Sequence, residues 1–101
     1  MSYADLQMKV IQWGEARGIV QNSTPRAQAK KSLEELIELR DAIEDNDLEA
    51  MKDAYGDILV TLIMGCAVAD IDLVECLELA YNEIKDRKGY MNSDGIFVKQ
   101  A

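Results

Sequence analysis

The residues in this chain best suited to chemistry are the carboxylates of Glu34-Glu35-Leu36-Ile37-Glu38 and, further along, Asp57 in Asp53-Ala54-Tyr55-Gly56-Asp57. Carboxylates clustered on neighbouring helices can hold a hard divalent cation such as Mg²⁺, which takes oxygen ligands. The chain has no histidine, and its two cysteines, Cys66 and Cys76, form no CxxC pair. A metal site built from these residues is therefore an all-oxygen one.

The elements that must position these groups read as helices. Ser2 caps a first helix running to about Arg17, with Leu6, Val10, Ile11 and Trp13 on or near one face and Gly18 as its stop. Thr24-Pro25 restarts the chain, a capping residue followed by proline at the first helical position. The second helix is expected to reach about Glu44, on a stripe of Ala29, Leu33, Leu36, Ile37 and Ile43. Asp45-Asn46-Asp47 breaks the pattern, and Asp47 caps a third helix from Leu48 to about Ala69. That helix is amphipathic up to Asp57 and apolar all round beyond it, which predicts burial. Asp72 caps a fourth helix, Leu73 to about Lys88, ending at Gly89 with Lys85, Arg87 and Lys88 in a last turn where cations suit the dipole. The tail carries an Asp94-Gly95 turn and the apolar stretch Ile96-Phe97-Val98. Four helices with short connections predict an all-α, four-helix-bundle-like domain over residues 1–101.

On the second helix, Glu34, Glu35 and Glu38 span an arc of about 100° opposite the expected apolar stripe. Taken alone, that arc reads as a solvated acidic face. The third helix changes the balance. Glu49, Asp53 and Asp57 recur every fourth residue, a spacing at which like charges repel. Asp57 stands at the entrance to the apolar segment, with Val60 and Met64 continuing its face, and a buried carboxylate needs a cation or hydrogen bonds. Gly56 beside it costs helix propensity and suggests a close approach. Pairing of Asp57 with Lys30, Lys31 or Lys52 is the structural alternative. Together the two segments make a site of four or five carboxylates for Mg²⁺ or Mn²⁺, which would bind a triphosphate and acidify an attacking water. Glu34, if not used as a ligand, could take the proton.

Composition narrows the choice. A length of 101 residues fits one domain, small enough to profit from a partner subunit. A net charge of −8 disfavours nucleic acid and anionic membrane as partners. Cys66 and Cys76 read as reduced core residues. The N-terminus lacks a signal-peptide pattern, and the apolar run from Ile58 to Ala69 is too short to span a bilayer. The expectation is a soluble, cytoplasmic protein. Trp13, the sole tryptophan, is a candidate to stack on a base, although core packing is the reading its spacing favours.

At this point the chain resembles the MazG-like nucleoside triphosphate pyrophosphohydrolases, an all-α family with the signature E-E-x-x-E, a spacer, then E-x-x-D. The first part is complete at Glu34-Glu35-Leu36-Ile37-Glu38. In the second, Asp57 matches the final aspartate while Ala54 occupies the glutamate position, a departure similar to that of small phage-type members. Gln12-Trp13 with Arg17-Gly18-Ile19, the stretch from Asn82 to Gly89, and Asp94-Gly95-Ile96-Phe97-Val98-Lys99 extend the resemblance over nearly the whole chain. The resemblance implies Mg²⁺-dependent hydrolysis of a (d)NTP between its α- and β-phosphates, giving a monophosphate and pyrophosphate as nucleotide-pool housecleaning. It implies Glu35, Glu38 and Asp57 as ligands, Asp53 as a replacement ligand, and Asn82, Lys85 and Lys88 as substrate contacts. It also implies a homodimer or a dimer of dimers. The rival of a different class is a non-catalytic acidic helical module for oligomerisation or interaction. A divalent-cation buffer is the poorer third, since no EF-hand loop exists.

Overall fold

The computed structural model describes residues 1–100. Its order is α1 (Tyr3–Ala16), α2 (Ile19–Asn22), α3 (Pro25–Glu44), α4 (Leu48–Val68), α5 (Leu73–Ile84), β1 (Gly89–Met91) and β2 (Phe97–Lys99). The helix starts follow local chemistry. Ser2 and Asp5 form a reciprocal capping box at α1. Thr24 Oγ1 accepts from the Ala27 amide ahead of Pro25, and Asp47 and Asp72 cap α4 and α5. The stops are equally local. Asn46 and Asp70 adopt left-handed φ of 52° and 58° after α3 and α4. Each lets the next amide reach back into the helix, Asp47 to the Ala42 carbonyl at 3.0 Å and Ile71 to that of Cys66 at 2.8 Å.

The fold is all-α as expected, with four long helices, the extra turn α2 and a small terminal hairpin. Two boundaries need correction. The last long helix stops at Ile84, so Lys85 is its C-cap and Arg87 and Lys88 lie beyond it, outside any last turn. Gly89 does not stop a helix but opens β1, where a side chain would run into the backbone carbonyl of Val98 across the hairpin. The strands pair antiparallel, Gly89 opposite Lys99 and Met91 opposite Phe97, closed by the Asp94-Gly95 turn with Gly95 at φ 78°.

Helices α3 and α4 form the central hairpin, with Ser32 meeting Thr61 (Oγ to Oγ1, 2.6 Å), an antiparallel register. Both hydroxyls also point at carbonyls of their own helices, Gln28 and Ile58. Two hydroxyl protons serve these three contacts, so the buried pair shares its bonding. Helix α1 lies across α4 where Gly14 leaves room for Met64, only 2% exposed.

The face that α3 buries differs from expectation. Ser32, Glu35, Leu39 and Ala42 face α4, while the expected stripe of Ala29, Leu33, Leu36, Ile37 and Ile43 is exposed in the single chain. Both sets keep helical spacing, and small side chains allow the closer approach to α4. The segment after Asp57 is likewise only partly buried: Ile63 and Met64 lie in the core, whereas Leu59 and Leu62 are exposed. Tertiary packing thus turns the acidic arc inward at Glu35 and leaves an apolar face uncovered. The radius of gyration, 16.0 Å, exceeds the roughly 13 Å of a closed domain this size, consistent with that open shape. Cys66 and Cys76 are free and half-buried. Among the described residues no helix is long and apolar enough to cross a membrane.

Candidate metal centre

The register of the central hairpin decides the site. Glu35 and Glu38 stand one turn apart on α3, directly across from Asp57 on α4. Carboxylate oxygens of the three lie within 4.8 Å of one another. Glu35 is buried, Asp57 half-buried and Glu38 exposed, so the cluster opens from the helix interface to solvent.

The charges are poorly compensated. Glu35 Oε1 lies 3.8 Å from Lys31 Nζ, one turn earlier on α3. Its Oε2 is buried with no hydrogen-bond partner, a costly state for a carboxylate oxygen. Among the described residues Asp57 makes no ion pair; Lys52 contacts Glu49 instead at 3.3 Å. The consequence is a pair of carboxyls that hold their protons harder than usual. Glu35 is raised first by the proton its acid form could share with the Glu38 carboxyl, then by burial and the charges of Glu38 and Asp57, against a lowering by Lys31. Asp57 is raised first by burial, then by Asp53 and Glu38.

These observations fit a hard cation. A cluster of carboxylate oxygens, one buried and unpartnered, with a single nearby lysine, is short of positive charge and offers ligands of the chemistry that Mg²⁺ or Mn²⁺ takes.

The other expected site residues are placed as follows. Asp53 is exposed one turn before Asp57, close enough for its charge to raise the Asp57 carboxyl. Glu34 is exposed outside the triad, 3.5 Å from Lys31 Nζ. Ala54 is 4% exposed. Gly56 meets nothing: a side-chain carbon there would have open space, so within the single chain no close approach explains it. Trp13 is not a core residue, being 43% exposed. With Leu6, Lys9, Val10, Asp57 and Val60 it walls a groove of about 390 Å³ that adjoins the cluster through Asp57. Asn82 and Lys88 line a different groove with Arg87 and Lys99, which contains none of the clustered carboxylates. Lys85 is exposed at the end of α5.

Two groups escaped the reading of the sequence. Lys9 walls the Trp13 groove, and the Arg17 guanidinium sits 4.9 Å from the Trp13 ring centroid, a cation–π contact. Residues 9, 13 and 17 recur every fourth position, a spacing that places them along one side of α1 and could have flagged them.

A model of the MazG nucleotide pyrophosphohydrolase domain matches residues 23–91, which takes in α3, α4, α5 and β1. The chain belongs to the MazG family. Its match to the family therefore includes all three clustered carboxylates, while α1 lies outside it. The chain is also 36% identical over 74 residues to an "uncharacterized 18.2 kDa protein in rep-hol intergenic region" of Haemophilus phage HP1. That alignment takes in 70% of this chain and 45% of the phage protein, so the MazG-family chain spans less than half of that relative's length. No solved structure matches.

Proposed function

We propose that this MazG-family protein is a divalent-cation-dependent pyrophosphohydrolase of nucleoside triphosphates, converting a (d)NTP and water to the (d)NMP and pyrophosphate. The observation that carries this reading is the triad of Glu35, Glu38 and Asp57, with the orphaned Oε2 of Glu35 inside it. The triad, with Asp53 alongside, would hold Mg²⁺ or Mn²⁺. Bound there, such a cation supplies charge neutralisation to the phosphates and acidifies a water.

The chain's own residues do the rest. Glu34 stands beside the triad but outside it, exposed, and serves as the acceptor of the proton released from water. Lys31 bridges Glu34 and Glu35, holding both carboxylates on the α3 face. Trp13, half-exposed in the groove that Asp57 adjoins, offers a stacking surface to the base. Asn82, Lys85 and Lys88 belong to sugar or phosphate contacts in this reading. Their groove is separate from the triad within one chain, so a second copy would have to bring them to it.

Association is supported by the uncovered apolar face of Leu33, Leu36, Ile37, Leu59 and Leu62. A homodimer or a dimer of dimers would cover it. The role would be removal of (d)NTPs in the cytoplasm.

The test is substitution at the triad. Glu38→Gln and Asp57→Asn each keep shape and remove a charged ligand, so each should abolish cation-dependent turnover while the far-ultraviolet circular dichroism stays helical. Near-normal turnover by either variant would remove the triad from the reaction.

A further inference from the structure

The groove walled by α1 and α4 contains one cationic donor, Lys9, and one carboxylate, Asp57, among apolar side chains. Leu6, Val10, Trp13 and Val60 supply the apolar surface, Asp57 joins it to the triad, and Lys9 is the remaining lining residue. Among the described residues Lys9 makes no ion pair: the lysines and arginines that do are Lys31, Arg40, Lys52 and Arg87. Its ammonium is thus uncommitted. At about 390 Å³ the groove falls within the range of small-molecule clefts, and clefts of that kind gain specificity from a few polar groups on apolar walls. Arg17, which lies over the Trp13 ring, is not part of the groove wall, so an occupant need not displace it.

A lysine ammonium donates three hydrogen bonds and accepts none. It therefore favours a carbonyl over an amino group at the same place on a ring. Bases differ in this respect: guanine, thymine and uracil carry an oxo group where adenine and cytosine carry an amino group.

We propose that Lys9 is a specificity-determining residue that selects oxo-bearing bases held against Trp13 in this groove. The inference rests on the nucleotide reading of the site given above, and it adds the class of base and the residue that reads it.

Trp13 is the chain's sole tryptophan, so its fluorescence reports occupancy of the groove without any turnover. The experiment titrates the full chain, in Mg²⁺, with matched monophosphates differing only in oxo or amino, dUMP against dCMP and dIMP against dAMP. The same titrations are run on Lys9→Met, an exposed position where the fold should be unaffected. Wild type should bind the oxo member of each pair on the order of ten-fold more tightly, the scale of one hydrogen bond to a charged group. Lys9→Met should bring the two members level by weakening the oxo member alone. Equal weakening of both members would mean that Lys9 contacts phosphate, and would overturn the proposal. Absence of quenching by every nucleotide would overturn it too. Product analysis separates the two readings: turnover without quenching sinks the groove assignment alone, and selective quenching without turnover sinks the reaction alone.

Discussion

Replacing Glu35 with glutamine should change stability in opposite directions with and without a divalent cation. Without one, Glu35 sits beside Glu38 and Asp57 with Oε2 unpartnered, and only Lys31 at 3.8 Å opposes the repulsion. Glutamine keeps the shape and removes a charge, so Glu35→Gln should melt above wild type in EDTA. With cation the order reverses. A ligand that binds only the folded state stabilises by RT ln(1 + [L]/Kd), about 1.4 kcal/mol at ten times Kd and about 2.7 kcal/mol at a hundred times. For a domain of this length, 1 kcal/mol is worth roughly 4–8 °C. Wild type should therefore gain roughly 6–11 °C at ten times Kd, and Glu35→Gln less than half of that. The assay is thermal unfolding followed by circular dichroism, at fixed protein concentration because association contributes to Tm. Parallel curves for the two proteins across a Mg²⁺ titration would refute the reasoning, since the cation would then bind elsewhere.

Further outcomes follow from the same structure. The raised carboxyls of Glu35 and Asp57 bind protons more tightly folded than unfolded. Cation-free stability should therefore fall as pH rises from their ordinary 4.5 and 3.8 through the raised values, and cation affinity should rise over the same window; denaturant melts at a series of pH values check both signs. Gly14→Ala would push a methyl against the sulfur of buried Met64 and to 2.9 Å from its terminal carbon. The clashing atoms are the flexible end of Met64, so the thioether has to swing aside, and overpacking at the low end of about 1–3 kcal/mol offsets the roughly 1 kcal/mol gain in helix propensity. Tm should therefore hold within a few degrees, and a loss of many degrees would mean that Met64 cannot move. Asp47→Ala removes the acceptor for the Ala50 amide at 3.0 Å and should cost about 1 kcal/mol in urea unfolding, whereas Asp47→Ser should cost little.

Helix starts were legible because caps act within three residues: Ser2, Thr24, Asp47 and Asp72 each bond an amide two or three positions on. The end of α5 was not, since lysines that suit a helix C-terminus suit a connection equally well, and the hairpin's demand for Gly89 is a contact with Val98 that only folding creates. The acidic motif was legible, but the inward turn of Glu35 was not. A period of 3.6 identifies apolar residues without saying which apolar face meets the same chain and which is left for another. Here Ser32, Glu35, Leu39 and Ala42 took the internal contact while Leu33, Leu36 and Ile37 stayed outside. Trp13 shows the same limit: its spacing fits a core, and it lies 43% exposed in a groove beside Asp57.

Whether the carboxylate triad performs cation-dependent pyrophosphohydrolysis is decided by incubating the protein with single nucleoside triphosphates in Mg²⁺, Mn²⁺ or EDTA and resolving products by ion-exchange chromatography. Monophosphate and pyrophosphate should appear in equal amounts with either cation and not at all in EDTA. Diphosphate with orthophosphate, or turnover indifferent to EDTA, would rule the reaction out.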